Sequence, residues 1–289
     1  MEQTHSMKFK ELKKIFKNFG HLWPSLRKFN DDNGFFLSAG ITFYILINLI
    51  PFIMLLSSLV GTYLYKDREV LNHIRAYFRD LAPALDPKIM KNLTDIIRHR
   101  QIVGISGFLG LLWISTWVFG SLRIALNIVF RAEESLGMLR GKVVDLLMIL
   151  LVGILFLVSM ILSPVIIFLR GYQGMLPVTI GPTIQWILRY LVPFFLTYCM
   201  FVLIYKIMPN KRIHIKSALQ AALFSSLLWE VSKHLFAWYV LHLAKYSLFY
   251  GSLSTLAIFF LWVYYSSTIL VVGGEFAYFL EEDRQRSTA

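Results

Sequence analysis

Apolar runs of membrane length, separated by short and mostly basic segments, set the pattern of this chain. No Asp, Glu, Lys or Arg occurs from Phe35 to Tyr65, from Ile102 to Leu122, or from Leu146 to Leu169. A helix crosses the hydrocarbon core with about 20 predominantly apolar residues. Extending these runs to their polar flanks and adding three less uniform ones predicts six spans, over 35–64, 102–130, 143–169, 183–205, 215–241 and 252–280. The expectation is therefore an all-α polytopic membrane protein with six transmembrane helices. Pro51, Pro164 and Pro193 fall inside spans and are candidate kinks, because proline removes a backbone donor and clashes with the preceding turn. Asn48 is placed to hydrogen-bond to a neighbouring helix. Small residues four apart, Ser106 with Gly110 and Ala218 with Ala222 and Ser226, are candidate faces for close helix approach.

Two stretches are amphipathic rather than apolar. Residues 8–28 interleave Phe9, Leu12, Ile15, Phe16, Phe19, Trp23 and Leu26 with Lys8, Lys10, Lys13, Lys14, Lys17, Arg27 and Lys28. That pattern suits a segment lying on an anionic leaflet. Residues 66–101 carry two apolar stripes, Leu71, Ile74, Phe78 and Leu81, then Ile89, Leu93, Ile96 and Ile97, parted by Pro83 and Pro87. They are expected to cap the outer face of the bundle. The organisation is then a basic cytoplasmic segment over 1–34, a membrane domain over 35–281 that includes the 66–101 loop, and a short cytoplasmic tail over 282–289.

Charge sets the orientation. Arg131, Arg140 and Lys142 follow the second span, and Lys206, Lys211, Arg212 and Lys216 follow the fourth, whereas the short loops opposite hold only Arg170 and Lys245; the long 66–101 loop is also basic, but long loops count for less in setting orientation. Positive residues stay on the cytoplasmic side, so both termini are expected there. The chain has 289 residues, 57% of them hydrophobic, with 29 Lys and Arg against 17 Asp and Glu, a formal charge of +12. Membrane topology accounts for that charge, and no nucleic-acid partner is inferred from it. The expected partners are membrane lipids, through the basic N-terminus, with a homo-oligomer or an envelope protein as further candidates. The single cysteine, Cys199, rules out an intrachain disulfide framework. Residues 1–34 lack the short apolar core of a cleavable signal.

Candidate chemistry concentrates in the fifth span. Glu230, Lys233 and His234 fall at i, i+3 and i+4, so their side chains share one helical face. Ionisable groups within the hydrocarbon region are costly and usually face a bundle interior or a hydrated cavity. Depth counting brings Arg189 of the fourth span within reach of Glu230, which predicts an intramembrane polar cluster of Arg189, Glu230, Lys233 and His234. A second set, Arg123, Asp145 and Glu275, comes to similar depth at the inner rim, and there the expectation is that the charges touch headgroups. The histidines, His5, His21, His73, His99, His214, His234 and His242, are scattered, and no metal site or cofactor is expected.

Several segments together are specific: Tyr205-Lys-Ile-Met-Pro-Asn-Lys-Arg, Leu228-Trp-Glu with Lys233 and Phe236, Tyr250-Gly-Ser-Leu, Leu261-Trp-Val-Tyr, and the closing Gly274-Glu275. With Leu188-Arg189, Ala125-Leu-Asn127 and the pattern from Tyr44 to Leu49-Ile-Pro51, they make the chain resemble the bacterial YihY/BrkB membrane family over about residues 35–281. Asn48 departs from the serine common there. The resemblance implies a multi-pass inner-membrane protein of about six helices and implies little about activity. The family has carried a ribonuclease label and a serum-resistance label, and the dispersed acids and histidines here do not support the first. No enzymatic activity is expected. The first expectation is a transporter-like or lipid/export-related protein whose polar cluster lines a cavity. The alternative is an envelope scaffold in which the cluster is a structural latch.

Overall fold

The computed structural model describes residues 20–66, 99–132, 138–171, 190–242 and 252–288, with side chains left out at 63–66, 138, 162–171, 252–255 and 288. Among the described residues every regular element is a helix: α1 Leu22–Asp31, α2 Gly34–Lys66, α3 Arg100–Phe130, α4 Met138–Gly171, α5 Val192–Ile207, α6 Ile215–His242 and α7 Ser252–Thr288. Four stretches are long and apolar enough to cross a membrane: Gly34–Thr62, Arg100–Phe130, Leu139–Ile161 and Leu256–Ser287. α5 is apolar but shorter in its described part, and α6 is interrupted by its charged turn. Residues 67–98, most of the loop expected to cap the bundle, lie outside the described residues, as do residues 1–19 of the basic segment.

The chain forms two compact units, one of residues 1–42 with 119–289, the other of residues 43–118. The smaller unit is a helical hairpin of the latter part of α2 and the first part of α3. Gly107 lies against the α2 backbone so closely that a Cβ there would come within 2.9 Å of the Leu55 nitrogen and 3.2 Å of the Pro51 carbonyl. The Asn48 side-chain amide donates to the Ser115 hydroxyl at 3.1 Å, and the Ser58 hydroxyl donates to the Arg100 carbonyl at 2.6 Å. Helices in lipid gain little from apolar contact with one another, so close backbone approach and polar bridges of this kind hold such a hairpin together. The expected face of Ser106 and Gly110 is corrected in part: Gly110 faces Pro51, while Ser106 is exposed and bonds back to the Ile102 carbonyl within its own helix. Pro51 is buried inside the unbroken α2.

The larger unit is built around α6, which packs on α5 and α7. Its buried face is Ser217, Ala218, Ala221, Ala222, Ser225, Ser226 and Ser232, which includes the small-residue stripe expected from the sequence. On α7 every residue from Val271 to Ala277 is buried. Gly273 makes the approach possible, since a Cβ there would run into the Tyr205 hydroxyl and the Ser225 side chain. The space is used by a neutral network: the Tyr205 hydroxyl meets the Ser225 hydroxyl at 2.8 Å and donates to the Leu270 carbonyl at 2.9 Å. α7 runs without a break through the segment set apart as a tail, ending at Thr288. Pro193 stands in the first turn of α5, where a missing N–H leaves no hydrogen bond unmade within the helix. Pro164 falls in the part of α4 whose side chains are not described.

Candidate functional site

One end of the larger unit gathers the ends of α3, α5 and α7 together with α1. α1 carries Ser25, Lys28 and Phe29 on its buried face and packs against α7. Asn33 then takes a left-handed conformation, φ 55°, and turns the chain into α2. Asparagine tolerates that region better than most residues because its short polar side chain bonds locally. This geometry withdraws Lys28 from the surface, whereas the sequence counted it among the cations of a segment lying on the leaflet.

The ammonium of Lys28 donates to Glu275 Oε2 at 2.8 Å, to the Val129 carbonyl at 2.7 Å and to Asp32 Oδ2. A lysine has three such protons and no acceptor, so all three are used. The ammonium also lies 4.5 Å from the centre of the Tyr278 ring, in cation–π geometry. Glu275 is wholly buried, at 0% exposure. Its Oε1 has no hydrogen-bond partner among the described residues. The expected rim cluster of Arg123, Asp145 and Glu275 is thus resolved differently: Glu275 belongs with Lys28.

Arg123 and Asp145 come together as a forked pair, Nε to Oδ1 at 3.1 Å and Nη2 to Oδ2 at 3.2 Å. Asp145 is also at 0% exposure. Gly141, one turn before it on α4, leaves room for the guanidinium, which a Cβ there would strike. Two parallel N–H to oxygen bonds fix both planes at once. The expectation that these rim acids touch headgroups is corrected, because both lie inside the protein with their cations. Each would be expensive to bury alone, so each has drawn a cation from another helix.

The turn on α6 is arranged otherwise. Lys233 Nζ lies 2.8 Å from Glu230 Oε2, and His234 Nε2 lies 3.7 Å from Glu230 Oε1, too far for a hydrogen bond. Side-chain exposures are 33% for Glu230, 37% for Lys233 and 75% for His234. Among the described residues this cluster is closed only upon itself, and Arg189, its expected fourth member, lies outside them. Glu230 is about 18 Å from the His242 end of α6 and about 22 Å from the Ile215 end. The arrangement can hold a compact charge pair against water or a polar ligand, with a histidine beside it.

Spacing located the α6 turn and the Arg123–Asp145 pair, and missed Lys28, Asp32, Tyr205 and Ser225. One signal for Lys28 was available: Asp32 follows it at i+4 and Ser25 precedes it at i−3, marking a polar stripe within an otherwise mixed helix.

Comparison with known proteins extends these observations. The sequence model described as virulence factor BrkB matches residues 25–289. A UPF0761 membrane protein of Pseudoalteromonas atlantica is 27% identical over 252 residues, covering 86% of this chain and 82% of the relative. A UPF0761 membrane protein of Alteromonas mediterranea is 26% identical over 287 residues, covering 94% of each. One from Haemophilus influenzae is 23% identical, covering 92% of this chain and 96% of its own. No solved structure matches.

Proposed function

The chain belongs to the virulence factor BrkB family of bacterial multi-pass membrane proteins, and from that premise we propose a transporter-like, lipid- or export-related protein whose polar path passes the charged turn of α6. The observation that carries this reading is the openness of that turn: three ionisable side chains at one level of a 28-residue helix, with His234 three-quarters exposed. A structural ion pair in a bundle is expected to be enclosed, as the two pairs at the other site are. Glu230 would act as counter-ion or proton carrier and Lys233 as its resting partner.

In this reading α5 and α6 are the fourth and fifth of six spans, and the end holding Lys28, Asp145 and Glu275 faces the cytoplasm of the bacterial inner membrane. The remaining cations of the N-terminal segment then lie against the anionic leaflet. The role in this reading is non-enzymatic. The alternative, a scaffold in which the turn is a sealed latch, requires a cover over His234, such as a second copy or an envelope partner.

The test exploits the single cysteine. In a Cys199→Ser background, Glu230→Cys, His234→Cys and single cysteines along the same face are exposed to a membrane-impermeant thiol reagent in intact membranes. Labelling along one helical face is expected. A folded protein that labels at none of these positions would abandon the transport reading and favour the latch.

A further inference from the structure

Leu223, Leu227, Glu230, His234, Trp238 and Leu241 follow one another along α6 at steps of three or four residues, so they form a single stripe down the helix. Both arms of the stripe are apolar and open, with Leu227 at 53% and Trp238 at 54% exposure. Its two central positions are ionisable. The opposite face of the helix is closed, since Ala222, Ser225 and Ser232 are buried there. Leu223 and Leu241 stand about 27 Å apart along the axis, close to the ~30 Å of a hydrocarbon core. Each lies about 10 Å from the nearer ionisable position. Lys233 flanks the stripe and reaches Glu230 at 2.8 Å, so a negative and a positive group lie side by side at its middle.

A stripe that only faced lipid tails would be apolar throughout, because an ionisable residue is costly at the middle of a spanning helix. Among the described residues, Glu230, Lys233 and His234 pair only with one another. A polar occupant therefore has to come from outside the bundle, and the apolar arms favour one that carries tails. We propose that the stripe holds an amphiphile with a zwitterionic headgroup, a primary ammonium joined to a phosphodiester, as in an aminophospholipid. The ammonium donates to Glu230, the phosphate takes Lys233 and His234, and the acyl chains lie along the apolar arms. Charges then alternate around the site, and each is met by a charge-assisted hydrogen bond. An anionic headgroup without a cation would instead set its phosphate against Glu230. The inference rests on the transport reading and names its cargo: a headgroup held at mid-membrane while its chains stay in lipid.

The experiment uses the full chain, purified in detergent and stripped of lipid, and follows its thermal midpoint. Short-chain phosphatidylethanolamine, phosphatidylcholine and phosphatidylglycerol with identical acyl chains are titrated in turn. A saturable rise is expected at the lowest concentration with phosphatidylethanolamine. Phosphatidylcholine should need severalfold more, because its quaternary ammonium has no N–H to donate, and phosphatidylglycerol should need the most. Glu230→Gln should weaken phosphatidylethanolamine severalfold and tighten phosphatidylglycerol, opposite shifts that a misfolded variant would not produce. Equal half-saturation by phosphatidylethanolamine and phosphatidylglycerol, no saturation by the former, or shifts of one sign in Glu230→Gln overturns the proposal. So does a pair of copies in solution that separates on Glu230→Gln, which would assign the stripe to a second copy. The thiol labelling judges the transport reading separately: a turn that labels but does not distinguish headgroups keeps that reading and overturns this one.

Discussion

Glu275 and Glu230 are both carboxylates on helices of one unit, and the protein treats them in opposite ways. Glu275 is sealed, and its cation comes from 247 residues away in the chain. Glu230 is one-third exposed, and its cation is three residues along the same helix. A long-range partner reports on assembly, because the pair exists only when α1 and α7 are docked. A local partner is present whenever the helix is, so it contributes little to assembly and remains available to something else. Asp145 sides with Glu275: it is buried and takes its cation from a neighbouring helix. The difference separates charges that hold the bundle from charges the bundle holds out.

Substitutions sharpen or break that contrast. The largest effect is expected from Lys28→Met, which strands Glu275 in the interior. Removing one partner of a buried pair costs about 3–5 kcal/mol, whereas replacing both with apolar groups is often neutral. The thermal midpoint should fall steeply in the single variant, and the double variant Lys28→Met/Glu275→Leu should regain most of the loss. If the single variant is as stable as the parent, Glu275 is not held as described. Asp145→Asn comes next, at about 1.5–3 kcal/mol for a hydrogen bond to a charged group, read by the same midpoint. Its effect is smaller because the Arg123 side chain keeps 18% exposure and can turn toward water. Glu230→Gln should move the midpoint by less than about 1 kcal/mol, the usual worth of an exposed pair. A loss as large as that of Lys28→Met would place Glu230 among the assembly charges and dissolve the distinction.

Much of the architecture was legible in the pattern of apolar runs, because membrane length and the absence of charge are strong constraints on each segment taken alone. The helix bounds of α2, α3, α4 and α6 lie within a few residues of those expected, and the buried stripe of Ala218, Ala222 and Ser226 follows from their spacing of four. The pair of Arg123 and Asp145 was also accessible, since both are isolated charges at the same depth on consecutive helices. The partner of Glu275 was not. Seven cations stand in the amphipathic N-terminal stretch, and periodicity alone does not say which one turns inward. That is decided by how α1 docks on α7, a tertiary fact. The grouping of Lys206, Arg212, His214 and Glu281 was illegible for the same reason: these residues come from a helix end, a loop and the last helix, and only folding brings them together.

The Lys28–Glu275 bond has a bearing on biogenesis. A ribosome adding about 5–20 residues per second needs roughly 12–50 s to travel between the two positions. Throughout that interval the lysine has no permanent anion from α7, and α1 has no surface of α7 to rest on. The bond therefore records that the last helix has been made and inserted. A chain cut short before α7 would present an unsettled N-terminal helix, the kind of feature by which proteases and chaperones tell unfinished membrane proteins from finished ones.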